Sequence, residues 1–223
     1  MSHAHVALLA GATGAVGSRL LEHLLQRPDL SQVVVVARGP AGRTHARLRW
    51  VRAELSALDE ALAGLQAGEA HCCLGTTMRQ AGSQEAFRAV DLVGVAAFAT
   101  AARDAGARFF GLVSAAGADP QARNFYLRTK GEAEARVEAL GFNSLAIMQP
   151  GLLRGPRREF RLGERLGQVV APLADRVMLG PLARYRSVPV ETVARALDAA
   201  ARNPQPGTHR LGPAEMEALA HGS

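Results

Sequence analysis

Cysteine is nearly absent from this chain. Cys72 and Cys73 are the only two cysteines among 223 residues, and they are adjacent. Adjacent cysteines cannot form an ordinary structural disulfide with each other, and they do not match the spacing of zinc ligands. The sequence therefore indicates neither disulfide nor metal support. A hydrophobic fraction of 48% is enough to form a sizeable core without either.

Long apolar runs are also missing. The longest, at residues 33–37 and 93–102, are shorter than the roughly 20 residues that a membrane-spanning helix needs. Residues 1–5 lack the basic segment and the apolar region of a signal peptide. We therefore expect no membrane partner, a cytoplasmic location and a single domain over residues 1–223.

Lysine occurs once, at Lys130, although the chain holds 26 lysines and arginines in total and has a formal net charge of +6. The arginines are scattered and interleaved with acids rather than gathered into one run. Proteins that bind nucleic acids usually concentrate positive charge on one face, so we expect no nucleic-acid partner. A basic nucleic-acid regulator is the least favoured of three functions considered for this chain.

Short apolar runs alternate with segments of helical periodicity along most of the chain. The β-branched run at residues 33–36 is typical of a strand buried on both faces, as in a parallel sheet covered by helices. The pattern predicts an α/β fold, a doubly wound parallel sheet (Rossmann), with a small C-terminal substrate lobe at residues 151–187. Strands are predicted at residues 5–10, 33–36, 48–52, 71–74, 108–114, 143–149 and 208–213, and helices at 14–26, 56–65, 83–105, 122–140 and 191–202.

A glycine-rich turn follows the first predicted strand. It reads GATGAVG over residues 11–17 and opens the first predicted helix. Its glycines would allow a tight turn, close approach of a pyrophosphate and close packing of helix against strand, while the helix N-terminus would hold the phosphates. The alternative is a strand-to-helix turn without a ligand. The residues predicted to bind a cofactor here are Gly11, Ala12, Thr13, Gly14, Ala15, Val16 and Gly17.

Arg38 stands at the end of the second predicted strand, within the segment VVVVARGP. An enzyme that uses NAD would offer an acid at this place to the 2′-hydroxyl of the ribose. A guanidinium can instead pair with a 2′-phosphate, so the sequence favours NADPH over NADH as cofactor. Arg43 is a second candidate for this contact. The alternative interpretation of Arg38 is a solvated loop arginine in an arginine-rich chain.

Tyr126 and Lys130 are four residues apart on a predicted helix, so their side chains lie on one face about one turn apart. A phenol is a weak acid at neutral pH, with a pKa near about 10, but an adjacent ammonium stabilises the phenolate and can also bind a nicotinamide ribose. These two residues are the predicted catalytic pair. Ser114, at the end of the fifth predicted strand, could orient a substrate carbonyl, or could simply cap that strand.

These motifs resemble a known family. GATGAVG, CCLGTT, VSAAGAD, NFYLRTKGEAE and QPGLL occur in the order seen in atypical short-chain dehydrogenase/reductases, and the chain looks most like the branch that contains the Tat-interacting oxidoreductase and its bacterial relatives. The resemblance covers most of the chain. It implies an NAD(P)-binding Rossmann domain in which Tyr126 and Lys130 form the active pair.

The resemblance also implies further cofactor contacts. One group would line the adenosine and ribose side, a second would meet the nicotinamide, and Arg161 would lie near the cofactor. Glu54 stands where the family often has an aspartate that recognises adenine. The first group is Leu74, Gly75, Thr76 and Thr77, and the second is Pro150, Gly151, Leu152 and Leu153.

The function expected from the resemblance is an NADPH-dependent oxidoreductase acting on an unidentified carbonyl or related small molecule. The alternative is an NADPH-binding sensor or regulatory protein without significant turnover, in which case a protein partner would be expected. For either function we expect a monomer or a simple homodimer.

Overall fold

A computed structural model describes residues 5–39, 42–54, 57–155 and 180–222 of the chain. Within these ranges a seven-stranded sheet has the order β3-β2-β1-β4-β5-β6-β9, and each neighbouring pair is parallel. A separate parallel pair joins β7 to β8. The strands are β1 (His5–Ala10), β2 (Leu30–Ala37), β3 (Leu48–Arg52), β4 (Glu69–Cys72), β5 (Phe109–Val113), β6 (Ser144–Met148), β7 (Leu153–Arg154), β8 (Val188–Pro189) and β9 (Gly207–Leu211).

Helices cover both faces of this sheet. One face packs against α5 and α6, and the other packs against α1 and α7. Consecutive strand residues alternate between the two cores, as Leu8 and Leu9 of β1 do. The helices are α1 (Ala15–Gln26), α2 (Leu58–Ala61), α3 (Met78–Ala81), α4 (Gln84–Arg88), α5 (Val95–Asp104), α6 (Phe125–Glu138), α7 (Val190–Arg202) and α8 (Pro213–His221), with a π-helical turn at Ala89–Gly94 and a 3₁₀ turn at Gly180–Tyr185.

The doubly wound parallel sheet predicted from the sequence is confirmed. Val33, Val34, Val35 and Val36 are all buried, because helices cover both faces of the strand that holds them. The last short strand is also confirmed, since β9 adds to the edge of the sheet beside β6.

Several elements differ from the predictions. Strand β2 begins at Leu30 rather than at residue 33, the described part of the predicted helix 56–65 is helical over Leu58–Ala61, and α3 was not predicted. Strand β4 begins at Glu69 rather than at residue 71, because the buried guanidinium of Arg27 pairs with this acid and lets it enter the sheet. The predicted helix 83–105 is divided by the π-helical turn, and α8 occupies the C-terminal segment for which the sequence indicated no element. Of the predicted lobe at 151–187, the described residues are 151–155 and 180–187, so the lobe stays a prediction.

Candidate active site

The glycine-rich turn forms a tight corner between β1 and α1. Gly11 has φ +81°, and a methyl group added there would lie 2.4 Å from the backbone carbonyl of Cys73. A methyl group on Gly17 would lie 2.2 Å from the carbonyl oxygen of Gly11. Gly14 caps α1 without a side-chain hydrogen bond, so the N–H groups of the first turn are left for an anion.

A groove of about 510 Å³ opens beside this corner. Gly11, Ala12 and Thr13 form one wall, and Arg38 at the end of β2 forms another. The shape, the glycine backbone and the arginine fit a dinucleotide with its diphosphate on the helix N-terminus. The remaining lining residues are Ala10, Val36, Ala37, Gly39, Ala53, Glu54, Leu58, Leu74, Val90 and Phe98.

Three arginines lie at the ends of β2 and β3 or in the segment between these strands, and Arg38 lines the groove. Arg38 is exposed, and no described residue pairs with its guanidinium. Arg52, at the end of β3, donates from Nε to the carbonyl oxygen of Arg38 at 3.2 Å, a contact that sequence reasoning missed. Arg43 lies 3.8 Å from Glu22 on α1, so its charge faces an acid rather than the groove.

The loop after β4 contributes Leu74 to the lining of the groove. Its residue Thr76 donates its backbone N–H to Asp91 at 2.8 Å. Thr77 caps α3 by accepting from the backbone N–H of Gln80 at 3.2 Å. Gly75 is exposed, and a methyl group there would lie 3.6 Å from Lys130 Nζ.

Helix α6 presents the predicted catalytic pair. It begins after Asn124, whose side chain accepts from Leu127 N at 3.1 Å. The ring of Tyr126 packs against Phe87, with ring centroids 5.6 Å apart. Lys130 is 6% exposed and lies 2.8 Å from the carboxylate of Asp91, which is fully buried.

An electrostatic balance keeps Lys130 charged. Burial by itself would lower the pKa of the Lys130 ammonium, but the Asp91 carboxylate outweighs it and raises that pKa above its ordinary value. Lys130 is therefore an ammonium at neutral pH. The sequence offered one signal for Asp91, an acid within an apolar helical run.

Ser114 lies in a different network from the catalytic pair. Its hydroxyl donates to the buried carboxylate of Glu134 at 2.5 Å. The side chain of Gln149 donates to the same carboxylate at 2.9 Å, and that of Arg210 at 3.1 Å. The hydroxyl proton of Ser114 is thus directed at Glu134. The catalytic role of Ser114 stays a prediction. The spacing of residues in the sequence did not identify Glu134 as the partner of Ser114.

The predicted nicotinamide side follows β6. Pro150 accepts a hydrogen bond from the backbone N–H of Ala116 at 2.9 Å. A methyl group on Gly151 would lie 2.4 Å from the carbonyl oxygen of Tyr185, so the turn needs glycine. Leu152 is 50% exposed, and Leu153 opens β7. The predicted cofactor residue Arg161 lies outside the described residues.

These contacts gather at the carboxyl edge of the sheet, where ligands of such folds bind. Fold and site together define a nicotinamide-dinucleotide-binding Rossmann protein of the short-chain dehydrogenase/reductase type. The profile of a family described as NAD(P)H-binding matches residues 11–204. The chain belongs to this NAD(P)H-binding family.

Two relatives indicate the branch. Protein HTATIP2 of Rattus norvegicus is 36% identical over 194 residues, which cover 85% of this chain and 78% of that protein. The mitochondrial protein fmp52 of Aspergillus fumigatus is 35% identical over 190 residues, covering 79% of this chain and 78% of that protein. The predicted resemblance to atypical short-chain dehydrogenase/reductases is confirmed. Because one relative is mitochondrial by name, the cytoplasmic location stays an expectation.

A solved structure has the same fold. The Bordetella bronchiseptica enzyme WbmH in complex with NAD⁺ superimposes with a TM-score of 0.70 at 18% identity, over 94% of this chain and 76% of that one. At this identity the likeness establishes the fold alone. In the described ranges, no helix combines the length and the apolar character required to cross a bilayer.

Proposed function

We propose that this protein is an NADPH-dependent oxidoreductase acting on a carbonyl or related small molecule. The observation that carries the proposal is the position of Lys130. This residue is buried, lies one helical turn from Tyr126, and has its Nζ close to Gly75 in the loop after β4. A bound nicotinamide would supply the hydride. Residues 151–187 are the part of the chain that we expect to shape the substrate side.

The two helix residues divide the remaining work. Tyr126 would deliver a proton to the substrate oxygen during reduction, or remove it during oxidation. Lys130 would hold the ribose hydroxyls and stabilise the phenolate through its positive charge. Both tasks need the pair on one face of α6, which is the arrangement found.

Preference for NADPH is supported by the rim of the groove. Arg38 lies at the end of β2, where the ribose 2′-substituent of a dinucleotide would face, and Arg52 lies against its backbone. Two guanidinium groups suit a dianionic phosphate better than a hydroxyl. One acid, Glu54, also lines the groove, so the preference depends on the two guanidinium groups outweighing its charge.

A second candidate function is an NADPH-binding sensor with little turnover. It is favoured by the hydroxyl of Ser114, which donates to Glu134 at 2.5 Å instead of facing Tyr126. Without that donor, the substrate carbonyl would have one fewer group to orient it. A protein partner would then detect the bound state.

Cofactor binding is tested by calorimetric titration of the purified protein with NADPH and with NADH. We expect NADPH to bind more tightly, and Arg38→Asp to lose about tenfold to a hundredfold in NADPH affinity. Arg43→Asp is the matched control, since Arg43 faces Glu22 and should change affinity little. Equal affinity for both nucleotides, or an Arg38→Asp variant that binds NADPH normally, contradicts the proposed preference.

Turnover separates the enzyme from the sensor. In a panel of carbonyl compounds with NADPH, Tyr126→Phe should lower kcat by about a hundredfold or more while NADPH affinity is retained. Glu132→Gln is the matched control, because it changes a surface side chain of the same helix. Tight NADPH binding with no oxidation across the panel would support the sensor instead.

A further inference from the structure

A buried carboxylate connects two parts of the candidate site. One oxygen of Asp91 lies 2.8 Å from Lys130 Nζ, and the other accepts the backbone N–H of Thr76 at 2.8 Å. Asp91 is fully buried. Burying an ion pair gives little net stability compared with an apolar pair of the same volume. Support of the fold is therefore a weak reason for an acid at this place.

The backbone around Asp91 is also irregular. Residues Ala89–Gly94 form a π-helical turn between α4 and α5, and the carboxylate projects from it toward α6. Such turns are rare in proteins and are frequently found at functional sites. The irregularity and the ion pair are independent observations, and both point to the surroundings of Lys130.

Few charges face the catalytic pair. The carboxylate comes from the π-helical turn, and the ammonium of Lys130 comes from α6. From β4, Cys72 also approaches, but burial raises the pKa of its thiol to about 12, so it is neutral. Arg88 of α4 and Glu132 of α6 form an ion pair of 2.8 Å at the surface. Because their charges are opposite, this pair adds no net charge near the catalytic pair.

We propose that Asp91 is a positioning residue that fixes Lys130 against the loop after β4 and offsets the effect of its positive charge on Tyr126. A lone ammonium would favour the phenolate, whereas an ammonium paired with a carboxylate favours it much less. Asp91 thereby keeps Tyr126 as a protonated phenol, ready to donate, up to a higher pH than Lys130 alone would allow. This inference rests on the catalytic pair of the proposed function.

The magnitude follows from Coulomb's law. Removing the negative charge beside Lys130, at the effective dielectric of a protein site, should move the midpoint of phenolate formation at Tyr126 by about one pH unit. The direction is toward lower pH, because the positive charge of Lys130 is then unopposed.

Ultraviolet absorbance of phenolate reads this midpoint directly. The chain has two tyrosines, Tyr126 and Tyr185, so a Tyr185→Phe background reports Tyr126 alone. In that background we expect Asp91→Asn to lower the midpoint by about one pH unit. An unchanged or higher midpoint overturns the proposal.

A second comparison tests the proposal if the Asp91→Asn protein fails to fold. In the same background, Lys130→Met leaves the carboxylate unopposed and should raise the midpoint. The double variant Asp91→Asn with Lys130→Met has no charge at either of these two positions and should titrate about one pH unit below Lys130→Met. Equal midpoints for these two proteins overturn the proposal.

The matched control is Glu132→Gln, which removes an acid from the surface of the same helix. It should move the midpoint by less than about 0.3 pH unit, because exposed pairs are screened by solvent. A shift as large as that of Asp91→Asn would mean that the effect is not specific to Asp91, and would overturn the proposal. The titration requires no substrate, so a failed carbonyl panel would reject the proposed function and leave this result standing.

Discussion

Replacing Gly17 with alanine sets helix propensity against packing. Alanine is favoured over glycine inside a helix by about 1 kcal/mol, so propensity alone predicts a more stable protein. The added methyl group would lie 2.2 Å from the carbonyl oxygen of Gly11 and 3.1 Å from the Cα of Ala12. Both contacts are with backbone, which cannot rotate away. Overpacking costs about 1 to 3 kcal/mol, and a clash this short belongs at the upper end.

The net expectation is therefore a loss of about 1 to 2 kcal/mol. For a chain of this size, that corresponds to a fall in Tm of about 2 to 8 °C. The same displacement of α1 would lengthen the hydrogen bonds from its N-terminus to a diphosphate, and affinity for NADPH should fall by about tenfold or more. Thermal unfolding by circular dichroism and calorimetric titration measure the two effects.

Gly42→Ala is the control for Gly17→Ala, because a methyl group at Gly42 would have nothing within 4 Å. Its Tm and its NADPH affinity should match those of the parent protein. If Gly17→Ala melts at or above the parent temperature and binds NADPH normally, the close packing of α1 on β1 is not what requires glycine, and the argument is wrong.

Three further predictions concern groups outside the glycine turn. Burial alone would raise the pKa of Glu69, but hydrogen bonds with His5 and His71, together with the charges of His71 and Arg27, hold that pKa well below its usual range. The stabilisation is therefore complete above a pH of about 4.3 and is lost as the pH falls further, and urea midpoints between pH 7 and pH 3 measure this loss. Burial raises the pKa of Cys72 to about 12, so a thiol reagent at neutral pH should react with it only after unfolding. Because Cys73 is partly exposed, the test uses a Cys73→Ser background, in which rapid reaction of the native protein would contradict the burial of Cys72. Ser114→Ala removes a donor from the carboxylate of Glu134 and should lower the free energy of unfolding by about 1 to 2 kcal/mol, and an unchanged thermal midpoint would show that this bond contributes nothing.

Local patterns were sufficient to predict most of the sheet. The run at residues 33–36 is buried on both faces. Because it follows a glycine-rich turn and a helix, such a run predicts a central strand of a parallel sheet. The start of β4 could not be predicted the same way. Glu69 is charged, and it enters the sheet because Arg27, 42 residues earlier, reaches it with two hydrogen bonds of 2.8 and 2.9 Å. No local pattern contains that partner.

The candidate site divides in the same manner. Tyr126 and Lys130 were predictable because their spacing corresponds to one helical turn, and Gly11 and Gly17 because each belongs to one continuous motif. The contact of Asp91 with Lys130 was not predictable, since it depends on a π-helical turn that shifts the register of the helix before α5. The acceptor for Ser114 was not predictable either, because it lies 20 residues away on another element.

The single lysine of an arginine-rich chain can be explained by the space and the donors available at its position. Lys130 is 6% exposed, and its Nζ lies 2.8 Å from Asp91 and 3.6 Å from where a side chain on Gly75 would begin. A planar guanidinium is larger, and it would tend to bind the carboxylate through two parallel hydrogen bonds, with its donors fixed in one plane. An ammonium has three donors in rotatable directions. One donor binds the carboxylate, so two stay available for a ribose hydroxyl and a phenolate oxygen, which is the combination that the proposed chemistry requires.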